Sequence, residues 1–245
     1  MPRPDGLRLQ TLLRKNRDDV RARLAAAAAE AGRRPEEVRL IAVTKTVSPE
    51  VALGLAALGQ EDLGENRLAG LEEKAAAFAA RGVAVRWHFI GHLQRNKARR
   101  VARLAHAIHG VDSRALFETL LGLRAEESLA PGLYLQVKLA EEETKHGLAP
   151  SEVPALVELA RARGVHLLGL MALAPLVEGP LARAEARRVF EALAALAREL
   201  PGDAFAGGRP RLSMGMSGDL EQAVRAGADD VRVGAALFRG IEEAA

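Results

Sequence analysis

Short apolar segments alternate along this chain with longer stretches in which apolar residues recur at helical spacing. The short segments predict eight strands, at residues 39–43, 62–64, 86–90, 107–111, 133–138, 166–171, 211–213 and 230–233. Helices are predicted over residues 7–32, 66–80, 114–127, 152–163 and 181–199. Alternation of this kind indicates a parallel sheet.

Eight strand–helix units in a chain of this length predict the α/β class and a single (β/α)8 TIM barrel. One domain would then cover residues 1–245, with an extra N-terminal helix inside residues 1–32 packed on the barrel. An open, doubly wound sheet is the alternative. In a barrel the site lies at the C-terminal ends of the strands, so polar residues there are candidates. They include Lys45, Glu65, Asn66, His92, Asp112, Ser113, Lys138, Ser213 and Arg232.

Composition narrows the class of protein. The chain has 245 residues, 49% of them hydrophobic, which is enough for one full core. The absence of cysteine excludes disulfides, thiolate metal sites and a cysteine nucleophile. The net charge is +3, aromatic residues make up 3%, and the basic stretch at residues 94–103 fits a solvated helix face. We therefore expect no nucleic-acid partner. With neither a signal-peptide core nor about 18 consecutive apolar residues, a cytoplasmic protein without a membrane span is expected.

The stretch LIAVTKTVSPE, which begins at Leu40, ends a buried strand with Lys45 just before a helix start. Ser48 followed by Pro49 and Glu50 is typical of a helix N-terminus. A lysine in this place either extends its ammonium into water or offers a nucleophilic amine at the barrel mouth. The second interpretation predicts that it forms an imine with a carbonyl ligand.

Two glycine-containing turns follow the last two predicted strands. In LSMGMSGDLEQAVRAG, Gly215 lies between Ser213 and Ser217, and in GADDVRVGAALFRG, Gly234 follows strand eight. Each turn alone also fits an ordinary strand-to-helix connection. Together they predict a phosphate site, which in this fold often lies in the loops after strands seven and eight.

An amine facing a phosphate site suggests a ligand with both an aldehyde and a phosphate. Pyridoxal phosphate has both groups, and so do the sugar phosphates of class I aldolases. Arg232, inside strand eight, either points toward such a ligand or forms an outer salt bridge. Ile90 and Gly91 offer an apolar wall for a flat ring, whereas Met171 and Met216 either flank a ring or fill the core.

Three other side chains are candidates for contacts with a ligand or a metal ion. Asn66 either bonds a hydroxyl on the ligand ring or caps a helix. His88 and His92 are four residues apart, but they straddle a strand and a turn and no third ligand is evident. We therefore expect no metal site.

Taken together, several stretches resemble the pyridoxal phosphate homeostasis proteins, earlier named proline synthase co-transcribed proteins. The stretches are LIAVTKTVSPE, LGENRL, WHFIGHLQRNKAR, GVDS, LLGLMALAP and LSMGMSGDLEQAVRAGADDVRVGAALFRG. They run in order from about residue 10 to residue 240, and they are also similar to the N-terminal barrel domain of alanine racemase. The resemblance implies that pyridoxal 5'-phosphate is the cofactor and that Lys45 holds it as an imine.

The resemblance also implies roles for other positions. Asn66 falls close to the ring, Ser213 and Gly234 at the phosphate, and Arg232 opposite the pyridine nitrogen. Lys145 matches a lysine in the loop after strand five. The predicted cofactor-binding residues are Lys45, Asn66, Ile90, Gly91, Met171, Ser213, Gly215, Met216, Ser217, Arg232, Gly234 and Ala235.

Two positions depart from the family pattern. Ala235 stands where the family often has a threonine that binds phosphate, so a backbone N–H is expected to replace that contact. Lys138 stands where asparagine is common. The charged loop at residues 139–148 is either a lid or simply solvated.

These features favour a carrier of the cofactor over an enzyme. Arginine does not readily give a proton to the pyridine nitrogen, which leaves the ring a weaker electron sink. Racemisation needs proton-transfer groups on both faces of a substrate, and Tyr134 is expected away from the mouth. The prediction is a monomeric protein that buffers pyridoxal phosphate or delivers it to apoenzymes. A racemase-like enzyme is the alternative.

Overall fold

The structure is a computed structural model that describes residues 4–140, 146–175 and 181–241, with side chains from residue 7 onward. Eight strands pair in parallel, each with the next along the chain, and β8 pairs with β1 to close a barrel. The strands are β1 (Arg39–Val43), β2 (Asp62–Glu65), β3 (Arg86–Phe89), β4 (Ala107–Val111), β5 (Gly132–Gln136), β6 (Gly169–Met171), β7 (Arg211–Ser213) and β8 (Asp230–Val233). The predicted (β/α)8 barrel is confirmed, and the open sheet is excluded.

Helices alternate with the strands on the outside of the barrel. They are α1 (Pro4–Glu30), α2 (Pro49–Ala56), α3 (Leu68–Ala79), α4 (Ala98–Leu104), α5 (Arg114–Glu127), α6 (Val153–Ala162), α7 (Ala182–Glu199) and α8 (Leu220–Arg225). Single 3-10 turns cover Pro35–Glu37, Arg95–Lys97, Pro150–Glu152 and Gly202–Ala204. No helix in the described ranges is both long enough and apolar enough to cross a bilayer.

Strand β6 is shorter than its sequence predicts. Its first predicted residues lie outside the barrel, because Leu167 pairs with Phe205 and His166 contacts the carbonyl of Asp203. At Gly169 the strand joins the barrel so closely that a Cβ atom would lie 1.9 Å from the carbonyl oxygen of Arg211. The β-pairing of the barrel thus begins at the glycine.

The N-terminal helix α1 packs against α2 and α8 and reaches the loops at the barrel mouth. The buried Asn16 amide donates to the carbonyl oxygens of Leu237 at 3.1 Å and Arg239 at 2.9 Å. Arg23 donates to the Glu221 carboxylate at 2.7 Å and to the Ser217 carbonyl at 3.0 Å. Helix α1 therefore supports the segments that follow β7 and β8.

Ion pairs close the N-terminal end of the barrel. Arg86 donates two hydrogen bonds of 2.7 Å to Asp62, and Arg211 lies 2.9 Å from Asp230. Burial alone would raise the pKa of Asp62, but the hydrogen bonds from Arg86 and His88 hold that pKa well below its usual value. Asp62 is therefore charged, and both carboxylates are paired with arginine beneath the barrel interior.

Candidate functional site

A cleft of about 620 Å³ opens at the C-terminal mouth of the barrel. This is the end at which barrels of this kind place their sites. Its lining comes from the segments that follow strands β1, β2, β3, β5, β6, β7 and β8, together with residues of β1, β5 and β8. The lining residues are Val43, Lys45, Thr46, Asn66, Ile90, Gly91, His92, Gln136, His146, Leu173, Met216, Ser217, Gly218, Arg232, Gly234 and Ala235.

Lys45 lines this cleft two residues after β1 ends, and its side chain is exposed rather than buried. Thr44, immediately before it, is fully buried, and its N–H donates to the Gly64 carbonyl at 2.9 Å. The Thr44 hydroxyl lies 2.6 Å from a Glu65 oxygen, and Glu65 pairs with the buried Lys74 at 3.0 Å. The backbone that carries Lys45 is therefore anchored, while its amine remains open to the cleft.

The loops after β7 and β8 face the same cleft and are joined to each other. The N–H of Ala236 donates to the Ser217 hydroxyl at 3.4 Å. Within the described parts of the chain, the backbone N–H groups of Ser217, Gly218, Gly234 and Ala235 have no acceptor. Clustered free N–H groups of this kind bind anions. Because α8 has only six residues, this anion-binding character belongs to the two loops.

Gly215 shapes the first of these loops. Its φ of +92° is a conformation that side chains other than glycine disfavour. An added Cβ atom would also lie 2.4 Å from the Cβ of Ala223 in α8. The glycine therefore lets the loop turn tightly over the helix, although Gly215 itself does not line the cleft.

Arg232 points into the barrel, so the outer salt bridge considered from the sequence is wrong. Its side chain is 3% exposed and lines the cleft floor. It donates to the Ser213 hydroxyl at 2.6 Å and to the Ala172 carbonyl at 3.0 Å. No carboxylate among the described residues forms a salt bridge with it, and burial lowers its pKa to about 10. The floor thus carries a cation without a carboxylate partner.

A chain of buried hydrogen bonds runs from Arg232 down the barrel interior to Asp62, and we call it the interior polar chain. The Ser213 hydroxyl lies 2.8 Å from Nδ1 of His109, and Nε2 of His109 lies 2.9 Å from Nδ1 of His88. Nε2 of His88 lies 2.9 Å from an Asp62 oxygen. Because Arg232 can only donate and the Asp62 carboxylate can only accept, both imidazoles fit as neutral rings protonated on Nε2.

The part of the cleft wall formed after β2 and β3 depends on a close approach between the two loops that follow these strands. A Cβ atom on Gly91 would lie 2.2 Å from the carbonyl oxygen of Asn66, so only glycine fits there. The approach sets Asn66, Ile90 and Gly91 side by side in the cleft lining. The polar group and the apolar wall predicted from the sequence are therefore neighbours.

Nine of the twelve predicted binding residues line the cleft, and Met171, Ser213 and Gly215 do not. Met171 is 1% exposed and packs with Ala107 and Tyr134 inside the barrel. Ser213 lies beneath the cleft, where Arg232 and His109 occupy its hydroxyl. The role of each residue in binding stays a prediction.

Three further expectations concern residues away from the lining. Tyr134 is fully buried and donates to Asp230 at 2.6 Å, away from the cleft. Burial and the neighbouring carboxylate raise its pKa well above its usual value. Lys138 is half-buried and does not line the cleft. Lys145 and much of the charged 139–148 loop lie outside the described residues.

The sequence interpretation missed several side chains that the structure brings to the site. Gln136, His146 and Leu173 line the cleft, and His109 supports Arg232 through Ser213. Gln136 ends an apolar strand at the mouth, the same signal that singled out Lys45. His109 carries no such signal, because a histidine in a strand can point to either face.

No protein-family model matches the chain, but individual known proteins do. A protein of Deinococcus radiodurans named pyridoxal phosphate homeostasis protein is 39% identical over 220 residues, which cover 89% of this chain and 97% of that one. The structure of PipY from Synechococcus elongatus, solved with PLP bound, is 36% identical with a TM-score of 0.74. That match covers 88% of this chain and 99% of PipY.

Alanine racemase from Corynebacterium glutamicum shares the fold, with a TM-score of 0.60 at 18% identity. The match covers 93% of this chain and 63% of the racemase. The barrel type is therefore also found in an enzyme.

Proposed function

The chain belongs to the family of pyridoxal phosphate homeostasis proteins, and we propose that it binds pyridoxal 5'-phosphate covalently through Lys45. One observation carries the proposal: Lys45, the buried Arg232 and the two N–H-rich loops all line one cleft. An amine, an anion site and a hydrogen-bond donor suit the aldehyde, the phosphate and the pyridine nitrogen of this cofactor.

Each part of the cleft then has one task. The loops at Ser217 and Gly234 bind the phosphate through backbone N–H groups, which need no threonine at position 235. Lys45 supplies the amine that reacts with the aldehyde. Arg232 would donate a hydrogen bond to the pyridine nitrogen, and Asn66 and Ile90, which also line the cleft, would hold the ring. When bound, the cofactor supplies an aldehyde and a ring that accepts electrons.

The cleft is suited to holding the cofactor rather than to turning over a substrate. The pKa of Arg232, though lowered to about 10, keeps the guanidinium charged at neutral pH. A charged guanidinium donates a hydrogen bond but does not readily surrender its proton, so the ring stays a weak electron sink. We infer that the protein buffers pyridoxal phosphate or delivers it to apoenzymes, without turnover.

Absorbance and reductive trapping test the cofactor site. Protein loaded with pyridoxal phosphate should be yellow, and borohydride should fix the cofactor's mass on the peptide that contains Lys45. Lys45→Ala should remain colourless, whereas Lys97→Ala, which removes an exposed lysine outside the cleft, should bind as the parent does. A parent protein that stays unlabelled would refute the proposal.

Delivery needs a separate experiment. Protein reduced by borohydride cannot release its cofactor, whereas unreduced loaded protein can. We expect only the unreduced form to restore activity to an apoenzyme that depends on pyridoxal phosphate. Equal reactivation by both forms would point to free cofactor in the preparation and would argue against delivery.

A racemase-like activity is the second candidate, and the cleft gives it one supporting observation. His92 and His146 line the rim and carry groups that can transfer protons. Exchange of an amino acid's α-proton with solvent, faster than with free cofactor and lost in His92→Ala, would favour an enzyme. No exchange with any common amino acid would leave the carrier role.

We also propose that the protein is a monomer. The large hydrophobic side chains exposed in the described ranges are Leu7, at 58%, and Leu181, at 67%. Two isolated side chains do not make an apolar interface. Sedimentation analysis should give the mass of one chain, and a dimer mass at micromolar concentration would contradict this.

A further inference from the structure

Three side chains of types that bind metal ions meet at the rim of the cleft. The sequence alone shows no third ligand beside the two histidines first considered. His92 follows β3, Asp112 follows β4 and His146 lies in the segment after β5. One ligand atom from each lies within 4.8 Å of the other two. His88, the partner first considered for His92, is instead buried in the interior polar chain. The third ligand is visible only after the barrel brings neighbouring strand ends together.

Asp112 is the anchor of this cluster. Its side chain is 4% exposed, and its Oδ2 lies 2.6 Å from Nδ1 of His92. In the part of the chain that the structure describes, neither lysine nor arginine pairs with Asp112. A buried carboxylate is costly unless a cation or strong donors compensate its charge. Among the described residues its side-chain partner is the His92 imidazole, so this carboxylate is available to a cation.

His146 completes the cluster from the other side. Its ring stacks on that of His92, with centroids 4.2 Å apart and planes 17° apart. Its backbone is held, because the Gln136 amide donates to the His146 carbonyl at 2.7 Å and the Leu148 N–H donates to Gln136 at 2.8 Å. Hydrogen bonds to Gln136, at the end of β5, therefore hold the backbone of the segment that carries the His146 imidazole.

We propose that His92, Asp112 and His146 bind one divalent transition-metal ion of the class that includes Zn²⁺, Ni²⁺ and Co²⁺. Two imidazoles and one carboxylate are ligands that these ions prefer, whereas Mg²⁺ and Ca²⁺ prefer oxygen ligands alone. Bonds of about 2.1 Å place tetrahedral ligands roughly 3.4 Å apart, so rotating the two rings out of their stack would close the site. With three protein ligands, water would fill the fourth position.

The position of the site gives the ion a role that rests on the proposed cofactor function. His92 and His146 both line the cleft, on segments after different strands. An ion held between them ties these segments together across the rim. Metal binding would therefore slow the entry and release of pyridoxal phosphate without contacting the phosphate loops.

Calorimetric titration with Zn²⁺ tests the site directly, on the parent and on Lys45→Ala. The second protein is included because pyridoxal phosphate bound to lysine can itself chelate metals. Both should bind one equivalent. Asp112→Asn and His146→Ala should each lose more than the roughly 10- to 100-fold in affinity that removal of an outer-shell partner costs. His166→Ala, which removes an exposed histidine remote from the cluster, should bind normally.

The outcomes separate the metal site from the cofactor function. Absence of saturable Zn²⁺ binding, or binding unaffected by Asp112→Asn and His146→Ala, would overturn the metal site whatever the cofactor does. For the rim role, cofactor release into excess apoenzyme should be slower with Zn²⁺ in the parent but not in His146→Ala. Stoichiometric binding with unchanged release would retain the metal site and overturn the rim role.

Discussion

Nη1 of Arg232 lies 2.6 Å from the hydroxyl of Ser213, directly beneath the cleft floor. Through this contact the only charged side chain buried in the cleft lining of the described chain is joined to the interior polar chain. The serine therefore serves the cleft indirectly, by holding the guanidinium in place. The family resemblance implies that Ser213 lies at the phosphate, whereas its hydroxyl contacts Arg232 and His109.

Removal of this hydroxyl should cost both stability and cofactor affinity. Ser213→Ala leaves one N–H of Arg232 and Nδ1 of His109 without their partner, so we expect a loss of about 1–3 kcal/mol in the free energy of unfolding. Urea unfolding measures it. Ser151→Ala, on the exposed Pro150–Glu152 turn, should change stability little. Equal unfolding midpoints for both variants would contradict the role of the contact.

Stability should fall in mildly acidic solution because His109 is buried as a neutral ring. Burial, together with the nearby Arg232 guanidinium, holds the pKa of His109 well below its usual value. An unfolded histidine takes up a proton below about pH 6.5, whereas folded His109 does not. The free energy of unfolding should therefore decrease as pH falls below about 6.5, by up to about 1.4 kcal/mol per pH unit.

Urea unfolding of the parent and of His109→Gln between pH 7.5 and 5 measures this dependence. The variant should lose less stability over that range, whereas the exposed His166→Gln should follow the parent. Asp62, whose pKa is lowered, acts in a different range. Its contribution is complete above about pH 4 and is lost only as pH falls further. Parallel curves for the parent and His109→Gln would show that His109 is not the group responsible.

Arg23 should influence cofactor binding although it lies on the N-terminal helix. It holds the Ser217 carbonyl at 3.0 Å and the carboxylate of Glu221, so it fixes the loop proposed to bind phosphate. Arg23→Ala should weaken binding by roughly 3- to 10-fold, in line with the loss of one or two partly exposed hydrogen bonds. Arg21→Ala, exposed on the same helix, is the matched control. Titration with pyridoxal phosphate, followed by absorbance, should separate the two variants.

Two glycine substitutions should have opposite effects on stability. Gly91→Ala would place a Cβ atom 2.2 Å from the Asn66 carbonyl and force the two loops apart, so the protein should be destabilised by about 1–3 kcal/mol. Gly122 lies inside α5 with open space around it, so Gly122→Ala should stabilise by roughly 0.5–1 kcal/mol. Thermal unfolding compares them, and a neutral Gly91→Ala would argue against the tight approach.

Much of the fold follows from the sequence because each strand is a short apolar segment bounded by residues that end it. The bounds of β1, β4, β7 and β8 match the prediction, and even the short β2 and β7 are present. The start of β6 was placed too early. Residues 166–168 have the local pattern of a strand, and Leu167 does form a β-bridge, but with Phe205 outside the barrel. The local sequence does not show which partner a strand-like segment pairs with.

Site residues could be predicted where a polar residue or a glycine follows the end of a strand. They could not be predicted where the depth of a side chain in the barrel or the order of the strands decides its place. Gly234 directly follows β8, and Lys45 lies two residues after the end of β1. Ser213 and Met171 also end strands, but whether such a residue faces the cleft or lies beneath it depends on the tilt of the barrel. The meeting of His92 and His146 depends on the order of strands around the ring, which no local pattern contains.

Paired polar side chains fill the barrel interior beneath the cleft. Beneath the cleft lie the interior polar chain and the ion pairs of Asp62 and Asp230, and the cleft opens at the opposite, C-terminal end. A ligand therefore enters and leaves the cleft at the C-terminal mouth, between the segments that follow the strands. A protein that takes the cofactor directly has to approach this face of the barrel. The residues or ions at the mouth would then control the rate at which the cofactor is transferred.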